Sequence, residues 1–558
     1  MADIVLVQPP IRDFYLTAKR TVPYGLACIA SPLLAAGWSV EIVDALATRK
    51  TKKIELPVSM SYLDEFYRGP DISPFCLFYD FKRFGLEPES LAERVRASGP
   101  RLVGISSLFS AYAGEALETA ALIKARCPGA LIVLGGHHPT QMPEEVLSRN
   151  CVDFIIRGEG EAAMLLLAQA IGGKGNLESV PGIGFKKAGG KLFVRPPAVL
   201  DDLDQIPLPA QDLIDQKFYR RGKTGSAVIA AGRGCPVGCS YCSIGCASWC
   251  GFRMKSPSRV LEEVRGAVLG AGARFIDFED ENISFKKAWF LEVLNEIESQ
   301  FSGLGVELRA MNGLFPPSLD EEVIHAMKRA GFKTLNLSLC TTSREQSRRF
   351  GRPYVRQSFE TALFYAQKYG LDAVAYIIAG APGQDPLESV ADLVYLAGKS
   401  AIAGVSVFYP SPGSLDFEKC SALGLLPGNL SLLRSTALPI SDTTSRLDSV
   451  TLLRLGRILN FFKALDPAER REVLAHCASG ESPAQKIEMG DTSGDVHTVG
   501  EKRRVIGKML LGNFLRDGVI LGVNSDGRLF SHNVSEPLCT RFRKGFFEVF
   551  SQSHGQGG

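Results

Sequence analysis

Three cysteines at spacing C-x3-C-x2-C, Cys235, Cys239 and Cys242, constrain this chain more than any other feature. They lie in Ala231-Gly232-Arg233-Gly234-Cys235-Pro236-Val237-Gly238-Cys239-Ser240-Tyr241-Cys242, just after an apolar run, Ala227 to Ala231, that reads as a buried strand. The glycines and Pro236 supply a tight turn and let the backbone come close, so three thiolates can face one point. A closed zinc site takes four ligands, and cubane clusters are normally held by four cysteines. Three ligands on one short loop therefore point to a four-iron cluster with one iron left open. A zinc knuckle and unrelated thiols are the alternatives.

The same loop, with Tyr241 just before its last cysteine, resembles the signature of the radical SAM (S-adenosylmethionine) enzymes. That resemblance implies a [4Fe-4S] cluster on Cys235, Cys239 and Cys242, both metal ligands and the catalytic centre. Its open iron chelates the amino and carboxylate groups of S-adenosylmethionine, whose reductive cleavage releases a 5′-deoxyadenosyl radical.

At 558 residues the chain exceeds what one hydrophobic core serves, so two or three domains are expected. A formal net charge of +3 marks no nucleic-acid binder and no specialist for acidic substrates. Thirteen cysteines, an odd number without a disulfide framework, suit a reducing, cytoplasmic location. The Met1-Ala2-Asp3 start carries no signal-peptide pattern, and no apolar run is long enough to span a bilayer.

Along the chain, apolar strand-like runs at 3–8, 38–43, 102–106, 131–134 and 153–156 alternate with helical segments. Tyr24 to Ala36 reads as a helix stopped by Gly37, and another follows Gly158-Glu159-Gly160-Glu161 to about Ala170. This alternation predicts a doubly wound, Rossmann-like parallel sheet over residues 1–172, its ligand beyond the carboxyl ends of the strands. Residues 46–87 form an aromatic-rich insertion with no assigned place. Residues 173–224 read as a linker with a hairpin around Gly189-Gly190.

Four strand-end loops of the sheet resemble the cobalamin-binding domains that precede many radical SAM domains: Pro9-Pro10, Tyr24-Gly25-Leu26, Gly135-Gly136-His137-His138-Pro139-Thr140 and Gly158-Glu159-Gly160-Glu161. The resemblance implies cobalamin contacts at Pro10, Tyr24, Gly25, Ser106, Ser107, Gly135, Gly136, His137, Thr140, Gly158, Glu159 and Gly160. An Asp-x-His-x-x-Gly string, whose histidine ligates cobalt in other cobalamin domains, does not occur, so neither His137 nor His138 is assigned as an axial ligand. A sheet domain that binds nothing is the alternative.

From 225 to 428 six further strands are read, at 227–231, 274–279, 305–311, 334–339, 373–379 and 403–409, matching the partial (β/α)6 barrel that the resemblance implies. Chemistry in such barrels gathers at the strands' C-terminal ends. There the expected S-adenosylmethionine contacts are Tyr241, Glu279, Asp280, Glu281, Arg309, Ser338, Ile378 and Gly380. Relatives carry an acidic residue near the end of strand four, where this chain has Ser338-Leu339-Cys340. Cys246 and Cys250 follow Cys242 at steps of four and would share a face if helical; two small buried side chains are the preferred reading. The basic run Arg344 to Arg356 reads as a solvated helix face. Residues 429–558, a mostly helical α+β region of unknown role, show helix at 449–476, a polar, glycine-containing loop near 479–499 and short strands near 519–523 and 528–531.

The resulting expectation is an anaerobic, cobalamin-dependent methyltransferase acting on an unactivated carbon of a small-molecule, lipid or tetrapyrrole substrate, with flavodoxin or ferredoxin as electron donor and no nucleic-acid partner. A cobalamin-linked radical cyclase, a tRNA methylthiotransferase and a non-enzymatic corrinoid carrier or sensor are the alternatives.

Overall fold

The computed structural model describes residues 2–14, 22–67, 69, 71–77, 80–246, 249–479 and 496–552. Runs such as Ile4–Gln8, apolar at nearly every position, are what a parallel strand buried on both faces requires. Five of them, β1 (Ile4–Gln8), β2 (Val40–Asp44), β3 (Leu102–Ser106), β4 (Leu131–Gly135) and β5 (Phe154–Ile156), pair in parallel in the order β2-β1-β3-β4-β5. The strand order reverses between β1 and β3, the usual place for a ligand crevice in such sheets. Helices cover both faces, giving two apolar layers, one around Val5, Val103 and Ile132 and one around Leu6, Leu33 and Leu167.

The stretch read as a linker extends this sheet. Strands β6 (Ile183–Lys186) and β7 (Leu192–Val194) form the expected hairpin and add antiparallel to β5, so the sheet has seven strands. The rest of the stretch, to Phe218, is short single turns, as its prolines predict.

The unplaced insertion also has a location. Thr51–Lys53 and Lys82–Phe84 join Ile11–Asp13 in a small antiparallel sheet. Its aromatic content is explained by a cluster of Phe14, Met60, Leu63, Tyr67 and Phe81 packed on Leu438 and Val450 of the C-terminal region.

The six expected barrel strands are all present: β8 (Thr224–Ile229), β9 (Ala273–Phe278), β10 (Glu307–Arg309), β11 (Thr334–Cys340), β12 (Asp372–Ala379) and β13 (Ile402–Val407). They pair as two parallel groups, β8-β9-β10 and β11-β12-β13, linked by single bridges between Leu308 and Phe332 and between Leu314 and Leu337. Helices of the barrel start on side-chain caps, Ser256, Asp320, Ser343 and Asp385 among them.

The C-terminal helix Arg446–Lys463 packs on β13 and on helix Pro386–Ala397, and Glu536–Gln552 packs on both of these helices, sharing the barrel's core. An open barrel exposes the backbone of its last strand. Asn460 covers that of β13: its Nδ2 donates to Ala403 O and its Oδ1 accepts from Ala403 N, both at 2.8 Å. The two expected tail strands are Leu521–Val523 and Leu529–Ser531, an antiparallel pair. The polar loop read near 479–499 falls mostly outside the described residues. Among the described residues no helix is long and apolar enough to cross a membrane.

Candidate functional site

The three-cysteine loop leaves β8 and turns beneath the ends of the barrel strands. Two glycines make the turn possible. A Cβ at Gly234, where φ is +80°, would sit 2.1 Å from Gly251 O, and one at Gly245 would sit 2.1 Å from Val237 O. Ser240 then clamps the loop from both sides: its N–H donates to Phe350 O at 2.8 Å and its hydroxyl to Asp416 Oδ2 at 2.9 Å.

The thiols share one electrostatic neighbourhood. Burial pushes Cys235 up, and Cys242 and Cys239 add to the effect, against the Val237 N–H and the Asn282 side chain. Burial likewise raises Cys242, with Cys239 and Glu281 raising it further. Two buried thiols that resist ionisation, Cys235 and Cys242, crowded beside Cys239, are a poor arrangement for a bare protein and a good one around a cationic iron–sulfur core, which favours the thiolate. Among the described residues no three His, Cys, Asp or Glu side chains converge as on a single metal ion. A cubane takes each thiolate on a different iron, so it needs the three side by side around a pocket.

Cys246 ends the short helix Ser243–Cys246, and Cys242 and Cys250 both lie outside it, so the three do not share a helical face. Cys250 is buried against Gly234.

Above the loop a cavity of about 770 Å³ opens between the sheet domain and the barrel. Its sheet-domain wall includes Ser106, Gly135, Gly136, His137, Thr140 and Gly158, with Tyr24, Gly25, Glu159 and Gly160 beside them. Its barrel wall includes Phe275, Asp277, Glu279, Glu281, Arg309 and Trp249. Pro10 and Ser107 line a smaller crevice of about 70 Å³ at the β1–β3 switch point, together with Ser106 and Tyr112. The sheet-domain wall is a cradle that a side chain would fill. A Cβ at Gly25 would meet nothing within 4 Å, and one at Gly135 only Ile156 O at 3.8 Å. Gly136 and Gly158 serve the backbone instead, since a Cβ there would lie 2.5 Å from Ser107 O and 2.3 Å from Ala198 O. Burial lowers the His137 pKa and keeps its imidazole neutral.

Several expected contact residues have other work. Glu159, expected to touch cobalamin, accepts from Arg253 Nη2 at 2.6 Å and faces Arg233 at 3.4 Å, while Arg233 also pairs with Glu161. Tyr24 lines the cavity, but its hydroxyl donates to Glu263 at 2.9 Å and accepts from Lys255 at 3.1 Å. The Gly158-Glu159-Gly160-Glu161 loop is thus an ionic latch between the domains, anchored on the flank of the cysteine loop.

On the barrel side, Asp280 turns away from the cavity and accepts the Ala231 N–H at 3.0 Å, bracing the loop from below; burial raises it to about 7. Glu281 faces the cavity and is likewise raised by burial to about 7. Arg309 lines the cavity while paired with Asp277, its Nε donating at 3.0 Å. Tyr241 packs edge-on against Phe350, ring centroids 5.1 Å apart, and meets Cys340 Sγ at 3.8 Å, away from the cavity. Ile378 lies in the same apolar cluster. Gly380, at φ +83°, packs on Pro439 and Thr444, and the Ser338 hydroxyl accepts from Arg352 at 2.8 Å.

Sequence reasoning missed Arg233, Arg253 and Arg352. Arg233 stood in plain view inside the loop, but its partners lie in another domain. Arg352 belonged to the run read as a solvated face. That reading holds for Arg348, which is largely exposed, and fails for Arg352, which lies past the helix end and reaches Cys239.

Known proteins resemble the chain in the same two parts. The B12 binding domain family matches residues 64–168, and the radical SAM superfamily matches residues 229–394. An uncharacterized methyltransferase of Pyrococcus horikoshii is 28% identical over 340 residues, 60% of this chain and 72% of that protein. Cytidylyl-2-hydroxyethylphosphonate methyltransferase of Streptomyces wedmorensis is 24% identical over 473 residues, 78% and 84% of the two chains. In fold, the chain is similar to TsrM, a radical S-adenosylmethionine methyltransferase from Kitasatospora setae solved with cobalamin and a [4Fe-4S] cluster. The TM-score is 0.59 at 16% identity, over 91% of this chain and 99% of that one.

Proposed function

From the premise that this chain is a radical SAM enzyme carrying a B12-binding domain, with a [4Fe-4S] cluster, S-adenosylmethionine and cobalamin as cofactors, we propose that it methylates an unactivated carbon of a small molecule in the cavity between its two α/β domains. The single observation that carries this reading is the shared cavity: the ligand-binding strand ends of both domains open into one space beside the three-cysteine loop.

When bound, the cofactors supply a deoxyadenosyl radical that removes hydrogen from carbon and a methyl group that replaces it. The protein supplies geometry. Cys235, Cys239 and Cys242 hold the cluster, and Asp280 braces the loop that carries them. Glu279 and Glu281 face the cavity where the sulfonium nucleoside's ammonium and hydroxyls need acceptors; an ammonium there would pull Glu281 back toward its ordinary carboxylate range. The wall of Gly25 and Gly135 leaves room for a flat corrin, and the neutral His137 and the Thr140 side of the same wall face it. Buried Phe275 and Met164 give the cavity an apolar lining beside which a carbon radical would be held, with Leu108, Phe109 and Met311 at its exposed rim. A one-electron donor of the flavodoxin or ferredoxin kind completes the system.

The wall is testable without knowing the substrate. Gly135→Leu places a side chain in open space without backbone strain. After anaerobic loading, cobalt per chain is expected to fall at least about tenfold, a loss of roughly 1.4 kcal/mol or more, with iron per chain and melting temperature unchanged. Full cobalt occupancy in this variant would remove the corrin from that wall.

A further inference from the structure

Arg352 has no role in the reading above, yet it touches the cysteine loop. It follows the helix Arg344–Arg349, in a turn that runs directly under that loop: a Cβ at Gly351 would lie 3.0 Å from Gly238 O, and Phe350 O accepts the Ser240 N–H. Its Nη1 donates to Cys239 Sγ at 3.4 Å. Its Nη2 donates to Ser338 O at 3.0 Å and to Ser338 Oγ at 2.8 Å, which ties the guanidinium to the end of β11. The plane lies 5.3 Å from the Phe315 ring, and Nε is buried without a partner. A fixed, half-buried guanidinium aimed at one cysteine sulfur is an unusual arrangement, because desolvating a cation without a carboxylate partner is costly.

We infer that Arg352 sets the reduction potential of the cluster by donating a charge-assisted hydrogen bond to Cys239 Sγ. The inference rests on Cys235, Cys239 and Cys242 being the cluster ligands. Reduction adds one electron, and one negative charge, to a cluster whose thiolates already carry negative charge. Hydrogen bonds to ligand sulfur and net charge nearby are the levers by which a protein tunes such a couple. A guanidinium at hydrogen-bond distance stabilises the reduced form more than the oxidised form, so it moves the couple upward, within reach of a physiological donor. Ser338 supplies the geometry: its two acceptors hold Nη2 while Nη1 reaches the sulfur. Arg352 is therefore a positioning and tuning residue that acts through Cys239.

The test is a potentiometric titration of the anaerobically loaded protein with dithionite, followed by the EPR signal of the reduced cluster. Arg352→Gln removes the charge and keeps a polar group. Its expected result is full iron content and a tenfold or greater loss in the equilibrium constant for reduction, a midpoint lower by about 59 mV. Arg352→Lys keeps the charge, but a compact ammonium cannot hold Ser338 and Cys239 together, so a smaller shift in the same direction is expected. If Arg352→Gln takes up no iron, the Lys variant decides by itself. An unchanged midpoint in whichever variant loads overturns the proposal and leaves the ligand assignment standing. A wild-type protein with no reduced-cluster signal overturns both.

Discussion

Cys239→Ala protein is expected to leave anaerobic reconstitution with little iron and to release 5′-deoxyadenosine from S-adenosylmethionine only at the rate of a protein-free blank. The argument is one of donor number. A cluster held by three thiolates has no spare ligand, so removing one leaves two irons without protein sulfur. The nearest other described thiols are badly placed to substitute. Cys250 is packed against Gly234, and Cys340 sits behind the Tyr241 hydroxyl, where burial raises it to about 12. Asn282, beside Cys235, is an amide and a weak donor to iron. Iron and sulfide counts, the visible spectrum and chromatography of the nucleoside products check this directly. Iron content and cleavage equal to wild type would remove Cys239 from the ligand set.

Glu161→Ala is expected to lower the free energy of unfolding by about 3 kcal/mol and to loosen the sheet domain from the barrel, while Glu161→Ala with Arg233→Ala recovers a good part of the loss. Breaking a buried pair leaves its remaining charge under-compensated, here Arg233 with Glu159 alone, whereas removing both charges does not. Here Arg233 stands between Glu161 and Glu159, and Glu159 is further held by Arg253 and by the Leu200 N–H at 2.5 Å. Arg233 directly precedes Gly234 and Cys235, so the latch that joins the domains also fixes one flank of the cysteine loop. Burial alone would lower the Arg233 pKa; the two glutamates overcome it and hold the guanidinium charged. Denaturant unfolding of the iron-free proteins measures the stability, and a double-mutant cycle isolates the pair. Additive losses in that cycle would show that the pair does not couple the domains.

The strands were legible because parallel strands buried on both faces read as unbroken apolar runs, as in Ile4–Gln8 and Ala273–Phe278, and because each barrel unit repeats that signal at intervals. The cysteine loop was legible as a candidate because its three thiols lie within eight residues of sequence, Cys235 to Cys242. What escaped was long-range. Arg233 and Glu161 are 72 residues apart, and Arg352 and Cys239 are 113 apart; no local window pairs them. Local pattern also hid a second task of one loop. Gly-Glu-Gly-Glu follows β5 as a ligand loop would and lines the cavity, while its two carboxylates also pair with two arginines of the barrel. The insertion after β2 was unreadable because its aromatic residues find their partners, Leu438 and Val450, near the other end of the chain.

The most direct measurement of the shared cavity is EPR on the fully loaded protein, with cobalt in the cob(II)alamin state and the cluster switched between its oxidised and reduced forms. If corrin and cluster occupy one space between the domains, the cobalt signal broadens and relaxes faster when the cluster becomes paramagnetic, and returns to its isolated form in Cys239→Ala. One cobalamin and one cluster bound per chain, with a cobalt signal indifferent to the state of the iron, would contradict the account.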